Sequence, residues 1–514
     1  MIGAGLVASL SPNARRWFVT ICTMTATIMQ ALDSTVANVS LPYMQGSLSA
    51  SLDQINWVLT SYIVAAAIMT APMAWLADRY GRKRVFIVSA TGFTVASLLC
   101  AMSQDIASIV IARLLQGMFG AALVPLSQAV MLDSYPAEQR GQAMGIWGMG
   151  VMIGPILGPT IGGFLTENYS WHWVFLINLP VGIVTVLGLM VFMEETKRQI
   201  HLRFDWYGFA ALAIGIGALQ LMLDRGEHAG WFSSTEIVGW LIVSLAGFYY
   251  FFAHSLTTDE PFVRFEVFKD TNFLAGCLFQ VVVGVGLFGT MALITPFTQH
   301  VLGYPIITAG YVLGSRGIGT MIAMIAVGRM LKYFEARTLV FLGLVLLAGT
   351  LYAMIGFTAN TSATMIVVTG IIQGMGIGLV FVSLSTVSFA TLPSHLRTSG
   401  AALLTLIRNL GSAIGISTVI AFLTSKTSEM HARLAEHITP FNDALRQAGP
   451  YLDMTTDQGR ALADAMVTQQ ATVIAYQNDF KLLMIFTLVL MPFVFIIRTT
   501  RQMPTLGAAA PARA

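Results

Sequence analysis

Gln30-Ala-Leu-Asp33-Ser-Thr-Val-Ala-Asn38-Val-Ser-Leu-Pro42 places a carboxylate inside an apolar run that opens after Arg15-Arg16. A helix rises about 1.5 Å per residue, so the run over 17–41 is long enough to cross the hydrocarbon of a bilayer. Entered from its basic end, such a helix carries Asp33 about 24 Å along, beyond the midplane. An ionised acid at that depth is unfavourable by a few kcal/mol or more, which makes Asp33 a candidate functional group. The alternative is a structural acid hydrogen-bonded to a neighbouring helix. On the functional reading the carboxyl takes up and releases a proton, and the rest of the chain loads and unloads it.

Composition supports the membrane setting. Of 514 residues, 56% are hydrophobic and only 10% are charged, with a mean hydropathy of +0.73. Soluble domains carry about 25% charged residues, so this chain cannot build a water-facing surface. Apolar runs recur at 17–41, 55–76, 85–103, 106–132, 142–165, 173–193, 206–223, 237–254, 273–298, 308–331, 338–357, 364–390, 401–425 and 480–497. Runs of about 20 residues predict an all-α integral membrane protein of fourteen spans rather than a barrel. The net charge of +3 follows from where the basic residues lie and gives no reason to expect a nucleic-acid partner. Cys22, Cys100 and Cys277 fall in apolar spans without paired spacing and read as core thiols, with no metal site. The N-terminus does not read as a cleavable signal.

Lys and Arg set the orientation. Alternate connections counted from the N-terminus hold nineteen of them, among them Arg79, Arg82, Lys83 and Arg84, against one, Arg225, in the short connections of the other side. That asymmetry predicts both termini in the cytoplasm, with a long periplasmic loop near 426–479.

The chain also repeats itself. Gln116-Gly117-Met118 recurs as Gln373-Gly374-Met375, Pro136 and Arg140 as Pro393 and Arg397, and Gly154 and Gly158 as Gly411 and Gly415, all at an offset of 257. A parallel repeat is the signature of a two-bundle secondary transporter. The offset spans about eight helices, so two extra helices lie between the halves. This gives a six-helix bundle over 1–200, two inserted helices over 201–260, and a second bundle over 261–514. At the same offset Asp33 maps to Thr290 and Arg113 to Gly370, which assigns proton chemistry to the first half. The second half carries Arg316 and Arg408 within its spans instead.

Three segments carry the chemistry. Ala74-Trp-Leu-Ala-Asp78-Arg79-Tyr-Gly81-Arg82-Lys83-Arg84 occupies the turn after the second span. Gly81 permits a tight turn, while Asp78, Arg79 and Arg82 can form and break ion pairs as the bundle rocks or simply anchor topology. Ala112-Arg113-Leu-Leu-Gln116-Gly117 puts Arg113 and Gln116 on one helix face. An unpaired arginine there is unfavourable, so Arg113 must face the interior, with Asp33 its electrostatic candidate; a static clamp is the alternative. Gly150, Gly154, Pro155, Gly158, Gly162 and Gly163 line the fifth span, where small residues allow close helix contact and prolines a bend.

Together these segments resemble the major facilitator superfamily, and the Gly-Pro run looks like the motif of its drug/proton antiporters. Leu32–Pro42 is similar to the first-helix motif of the fourteen-helix branch, and Leu223-Asp224-Arg225-Gly226-Glu227 and Trp171–Pro180 look like EmrB-type multidrug exporters. The resemblance implies a proton antiporter of the bacterial inner membrane that exports hydrophobic and amphipathic compounds and is not an enzyme. It also implies an EmrA-like periplasmic adaptor and a TolC-like outer-membrane channel. Ala74 departs from the family pattern, which usually has Gly there.

No Gly-Lys dipeptide occurs, so no phosphate-cradling loop is expected; the energy should come from a proton gradient with no cofactor. Gln30, Asn38 and Arg316 are candidate substrate contacts. Arg316 attracts acidic substrates on one reading and is a structural clamp on the other. His300 and Asp224 stand near outer span ends as secondary protonation candidates or plain interfacial groups. An uptake carrier and a non-transporting receptor or scaffold are the competing functions.

Overall fold

A computed structural model describes residues 11–498 except 197, 200, 202, 259–260 and 439–455, and every regular element in that range is helical. Helix α1 (Pro12–Ser47) starts under a Ser11 cap, whose hydroxyl accepts from the Ala14 amide at 3.2 Å. Helix α2 (Leu52–Thr70) opens on a Ser51/Gln54 capping box and bends by 54° into α3 (Met73–Tyr80). Gly81, at φ +95°, turns the chain into α4 (Arg82–Ala101). There follow α5 (Ile106–Gly120), α6 (Leu123–Ser134), α7 (Arg140–Asn168) and α8 (Asn178–Phe192). Helix α7 bends by 42° between Gly158 and Thr160, where the sequence places Pro159.

Helices α9 (Trp206–Ala229) and α10 (Thr235–Thr257) form a hairpin. It is tied to α2 by a Thr60–Asp224 hydrogen bond. Helix α11 (Thr271–Gly284) runs through π-helical turns on either side of α12 (Thr290–Pro296). The chain closes with α13 (Ile306–Met330), α14 (Ala336–Ile355), α15 (Ala363–Ser388), α16 (Arg397–Ala435) and α17 (Asp457–Leu490). Ser417 on α16 donates to the Leu223 carbonyl of α9 at 2.9 Å.

Among the described residues eleven helices are long and apolar enough to cross a membrane, and the two bent pairs raise that to thirteen. Helix α1 is not among them because Gln30, Asp33 and Asn38 lower its hydropathy, yet its 36 residues are ample for a span. Counting α1 makes the total consistent with fourteen runs. Ile111, Leu187 and Tyr249 are each more than half exposed, as befits side chains that face lipid.

The glycine repeat is structural, although the opening helices of the two halves sit in a different register from the offset of 257. A Cβ at Gly154 or Gly158 of α7 would fall on Ala31 and Thr35 of α1. In the second half a Cβ at Gly411 or Gly415 of α16 would lie 2.9 Å and 2.7 Å from the Cα atoms of Val281 and Val285. The two glycine pairs therefore seat the opening helix of each half in the same way. Between the halves, Trp147 of α7 stacks on Phe381 of α15 with ring centroids 5.7 Å apart.

One expectation is corrected. The 426–479 segment is not chiefly loop, since α16 continues to Ala435 and α17 begins at Asp457; residues 439–455 lie outside the described range. Polarity that ends an apolar run does not end a helix rich in Ala, Gln, Arg and Glu. Lys426 and Arg433 both pair with Glu429, and His431 meets Asp464 at 3.0 Å across the two helices.

Candidate functional site: a buried carboxylate with three donors

Asp33 is 1% exposed and sits where α1, α5 and α8 meet. Arg113 Nη1 donates to Oδ2 at 2.7 Å, while Gln116 Nε2 and Asn178 Nδ2 donate to Oδ1 at 2.8 and 2.9 Å. Arg113 and Gln116 reach it together because they are one turn apart on α5, and Arg113 Nη1 also donates to Gln116 Oε1 at 2.8 Å. The rest of the guanidinium is accommodated too. Its Nε donates to the Val58 carbonyl at 3.1 Å, and its carbon stands 4.2 Å from the Tyr62 ring centroid and 5.6 Å from that of Phe175. Asn178 is held from behind by Ser97, whose hydroxyl accepts from it at 3.0 Å and donates to the Phe175 carbonyl at 2.9 Å.

The cluster pairs one anion with one cation, and so remains viable without water. Every partner of the carboxylate is a donor. Three of its roughly four lone-pair positions are taken by N–H groups, which leaves one position on Oδ2.

Gln30, one turn before Asp33, donates to the Tyr62 hydroxyl at 3.1 Å and so joins the outer shell of the cluster. Asn38 is exposed on α1 and takes no part in the bonds around Asp33. The glycines pack α7 against the same stretch of α1: Gly150 faces Met24, Gly154 and Gly158 flank the turn of Asp33, and Gly162 lies over Val36. Thr35 donates to the Gly154 carbonyl at 2.9 Å across this contact. Gly163 points elsewhere, 4.0 Å from Val39, and the Pro155 side chain lies outside the described part of the structure.

Sequence reasoning missed Asn178, Ser97 and Tyr62 as members of the cluster. Asn178 stands within Trp171–Pro180, where an Asn ahead of Pro180 at a helix start reads as a cap. Its full burial is what marks it out.

A second group of charges closes the basic end. Asp133 of α6 accepts from Arg82 Nη1 and from Arg397 Nη1, each at 2.6 Å, one arginine from each half. Arg82 also donates to the Thr398 hydroxyl at 2.8 Å, and Asp78 pairs with Arg264 at 3.1 Å. Arg79, part-exposed in the last turn of α3, is in neither group. At Gly81 a side chain would strike the carboxylate of Glu195, which accepts from the Lys83 amide at 3.2 Å.

Arg316 and Arg408 lie in the second half with no carboxylate within ion-pair distance among the described residues. Arg316 Nη2 donates to the Leu287 carbonyl at 2.8 Å in a π-helical turn, while its Nε and Nη1 are buried without partners. The Arg408 guanidinium carbon is 5.8 Å from the Phe381 ring centroid.

Two repeated helical halves, a neutralised charge cluster inside the membrane and ion pairs across one end define a secondary transporter. The chain belongs to the Major Facilitator Superfamily, whose sequence profile matches residues 23–416. It is 34% identical over 477 residues to the multidrug export protein EmrB of Escherichia coli (strain K12), covering 91% of this chain and 92% of that one. With the fatty acid resistance protein FarB of Neisseria gonorrhoeae it shares 32% identity over 493 residues, 95% and 97% of the two chains. Among solved structures, the human organic anion transporter MFSD10 superposes with a TM-score of 0.57 at 14% identity, covering 92% of this chain and 99% of that one, a likeness of fold.

Proposed function

We propose that this protein is a proton-coupled multidrug efflux antiporter that exports hydrophobic and amphipathic compounds from the cytoplasm or inner leaflet. The observation that carries the reading is the Asp33 carboxylate, buried against three donors and no acceptor, where a bound proton would weaken the bonds that join α1 to α5 and α8. Relatives named as multidrug export proteins over nine-tenths of the chain support the direction of transport. The two halves, 1–200 and 261–514, rock about the interface between them, with the α9–α10 hairpin inserted. Protonation of Asp33 from outside discharges substrate, and deprotonation toward the cytoplasm resets the site for loading. No cofactor is required; the proton gradient supplies the energy.

The protein resides in the inner membrane of a bacterium with both termini cytoplasmic, as the Lys and Arg distribution favours. An EmrA-like adaptor and a TolC-like channel would carry substrate onward. Substrate contacts are assigned to Gln30, Asn38 and Arg316. The two unpartnered nitrogens of Arg316 favour an acidic group on the substrate. Arg316→Ala should lower export of acidic compounds at least tenfold more than export of neutral ones, and equal losses would leave only the clamp.

Dye efflux from cells across a range of external pH tests the main reading. Asp33→Asn should abolish proton-driven efflux and Asp33→Glu should keep a part of it, with both proteins present in the membrane at normal amount. Undiminished efflux by Asp33→Asn would refute the reading, and proton-driven accumulation of the dye would favour an uptake carrier.

A further inference from the structure

The last helix of the second half carries an acid that no other part of the mechanism uses. Asp479 lies within α17 and is 0% exposed, and neither carboxylate oxygen has a hydrogen-bond partner. Among the described residues no Lys, Arg or His nitrogen lies within 4.0 Å of it. The apolar-run boundary at 480 had placed it in a loop, and so had left the second half without an acid.

The closing helices of the two halves are fastened at corresponding places. Ser97, Cys100 and Gln116 correspond at the offset of 257 to Met354, Phe357 and Gln373. In the first half Cys100 Sγ contacts Gln116 Oε1 at 3.5 Å, and Ser97 accepts from Asn178 of α8, the closing helix of that half. In the second, Gln373 Nε2 meets Met354 Sδ at 3.9 Å. The closing helix, α17, is fastened at the same place: Gln477 Nε2 donates to the Phe357 carbonyl at 2.8 Å, and the Phe480 and Phe357 rings lie 6.2 Å apart. Gln373 Oε1 is also buried without a partner.

We propose that Asp479 is a second proton-carrying carboxyl, placed in the second half. This rests on the antiport reading and extends it to two protons per cycle. An ionised carboxylate without a donor would be unfavourable by several kcal/mol in this site, so Asp479 must be neutral here or move toward water to ionise. Asp33, with three donors, is accommodated as the anion in the same conformation. The two acids therefore differ in their donors, three for Asp33 and none among the described residues for Asp479. Uptake forms one O–H bond on a carboxylate oxygen, and release returns that proton to water on whichever side is open.

The groups facing this region are few. Tyr476 lies one turn away on α17. Helix α16 offers Lys426, Glu429, His431 and Arg433, which are paired among themselves or with Asp464. His300, in the π-helical turn after α12, is exposed, and α14 offers Tyr352, 71% exposed, and Arg337 at the far end, paired with Glu335. Helix α12 itself and the Met491–Ile496 turn carry no titratable side chain.

Infrared difference spectra of the purified protein in lipid, recorded between acidic and alkaline pH, read the C=O stretch of protonated carboxyls in apolar surroundings directly. The wild type should show two such bands, with Asp33→Asn removing one and Asp479→Asn the other. Asp479→Glu should retain a shifted band, and since Asn is nearly isosteric with neutral Asp, thermal unfolding of Asp479→Asn should be unchanged. If both bands survive in Asp479→Asn, or if Asp479→Glu fails to shift one, the proposal falls while the Asp33 reading stands. If Asp33→Asn alone leaves the spectrum unaltered, the Asp33 reading falls instead.

Discussion

At the scale of single residues, the arginine beside the carboxylate shows how strictly the cluster is specified. Arg113 donates to Asp33, to Gln116 and to the Val58 carbonyl, and lies against the rings of Tyr62 and Phe175. A lysine has one charged nitrogen and no planar fork to satisfy these partners at once. Arg113→Lys should therefore cut proton-driven efflux at least tenfold while the protein still inserts. Arg113→Ala leaves a buried anion with two neutral donors and no countercharge and should destabilise the fold by about 3–5 kcal/mol, read as a lower unfolding temperature in detergent. Asn178→Ala removes a neutral donor and should cost about 1–3 kcal/mol, with a smaller loss of efflux.

The glycine run of α7 belongs to the scale of elements. Its spacing of four brings one face against α1, so that Gly154 meets the Ala31 backbone and Gly158 meets Thr35, on either side of Asp33. Any movement of α1 would thus be transmitted to α7. That helix touches the second half through its opposite face, where a Cβ at Gly145 would lie 2.5 Å from the Met324 carbonyl oxygen of α13. Gly154→Ala should overpack the contact and destabilise by about 1–3 kcal/mol, whereas Gly163→Ala should be near neutral because its nearest neighbour is 4.0 Å away. Thermal unfolding of the two variants side by side measures the difference.

For the whole molecule, the decisive feature is closure of the basic end. Asp133 binds an arginine from each half, and Arg82 reaches Thr398 as well. Asp133 is 33% exposed, so screening limits the lock to about 1 kcal/mol, enough to shift a rocking equilibrium several-fold. Asp133→Asn should raise the rate at which a cysteine introduced at Ser134 reacts with a maleimide supplied from the cytoplasmic side. Background labelling should be low, because Cys22, Cys100 and Cys277 are buried.

Periodicity and spacing, with the family resemblance, were enough to determine the class of fold and to put Asp33, Arg113 and Gln116 forward as neighbours, which they are. An acid, an arginine and long apolar runs are local properties, and a membrane makes each of them conspicuous. Tertiary structure alone decided that Asn178 of α8 completes the cluster, that Asp133 rather than Asp78 bridges Arg82 and Arg397, and that Asp479 is enclosed. These depend on helices distant in sequence meeting at one depth. Asp479 was hidden for a further reason: the apolar run breaks off at the polar Gln477-Asn478-Asp479, while the helix beneath it continues.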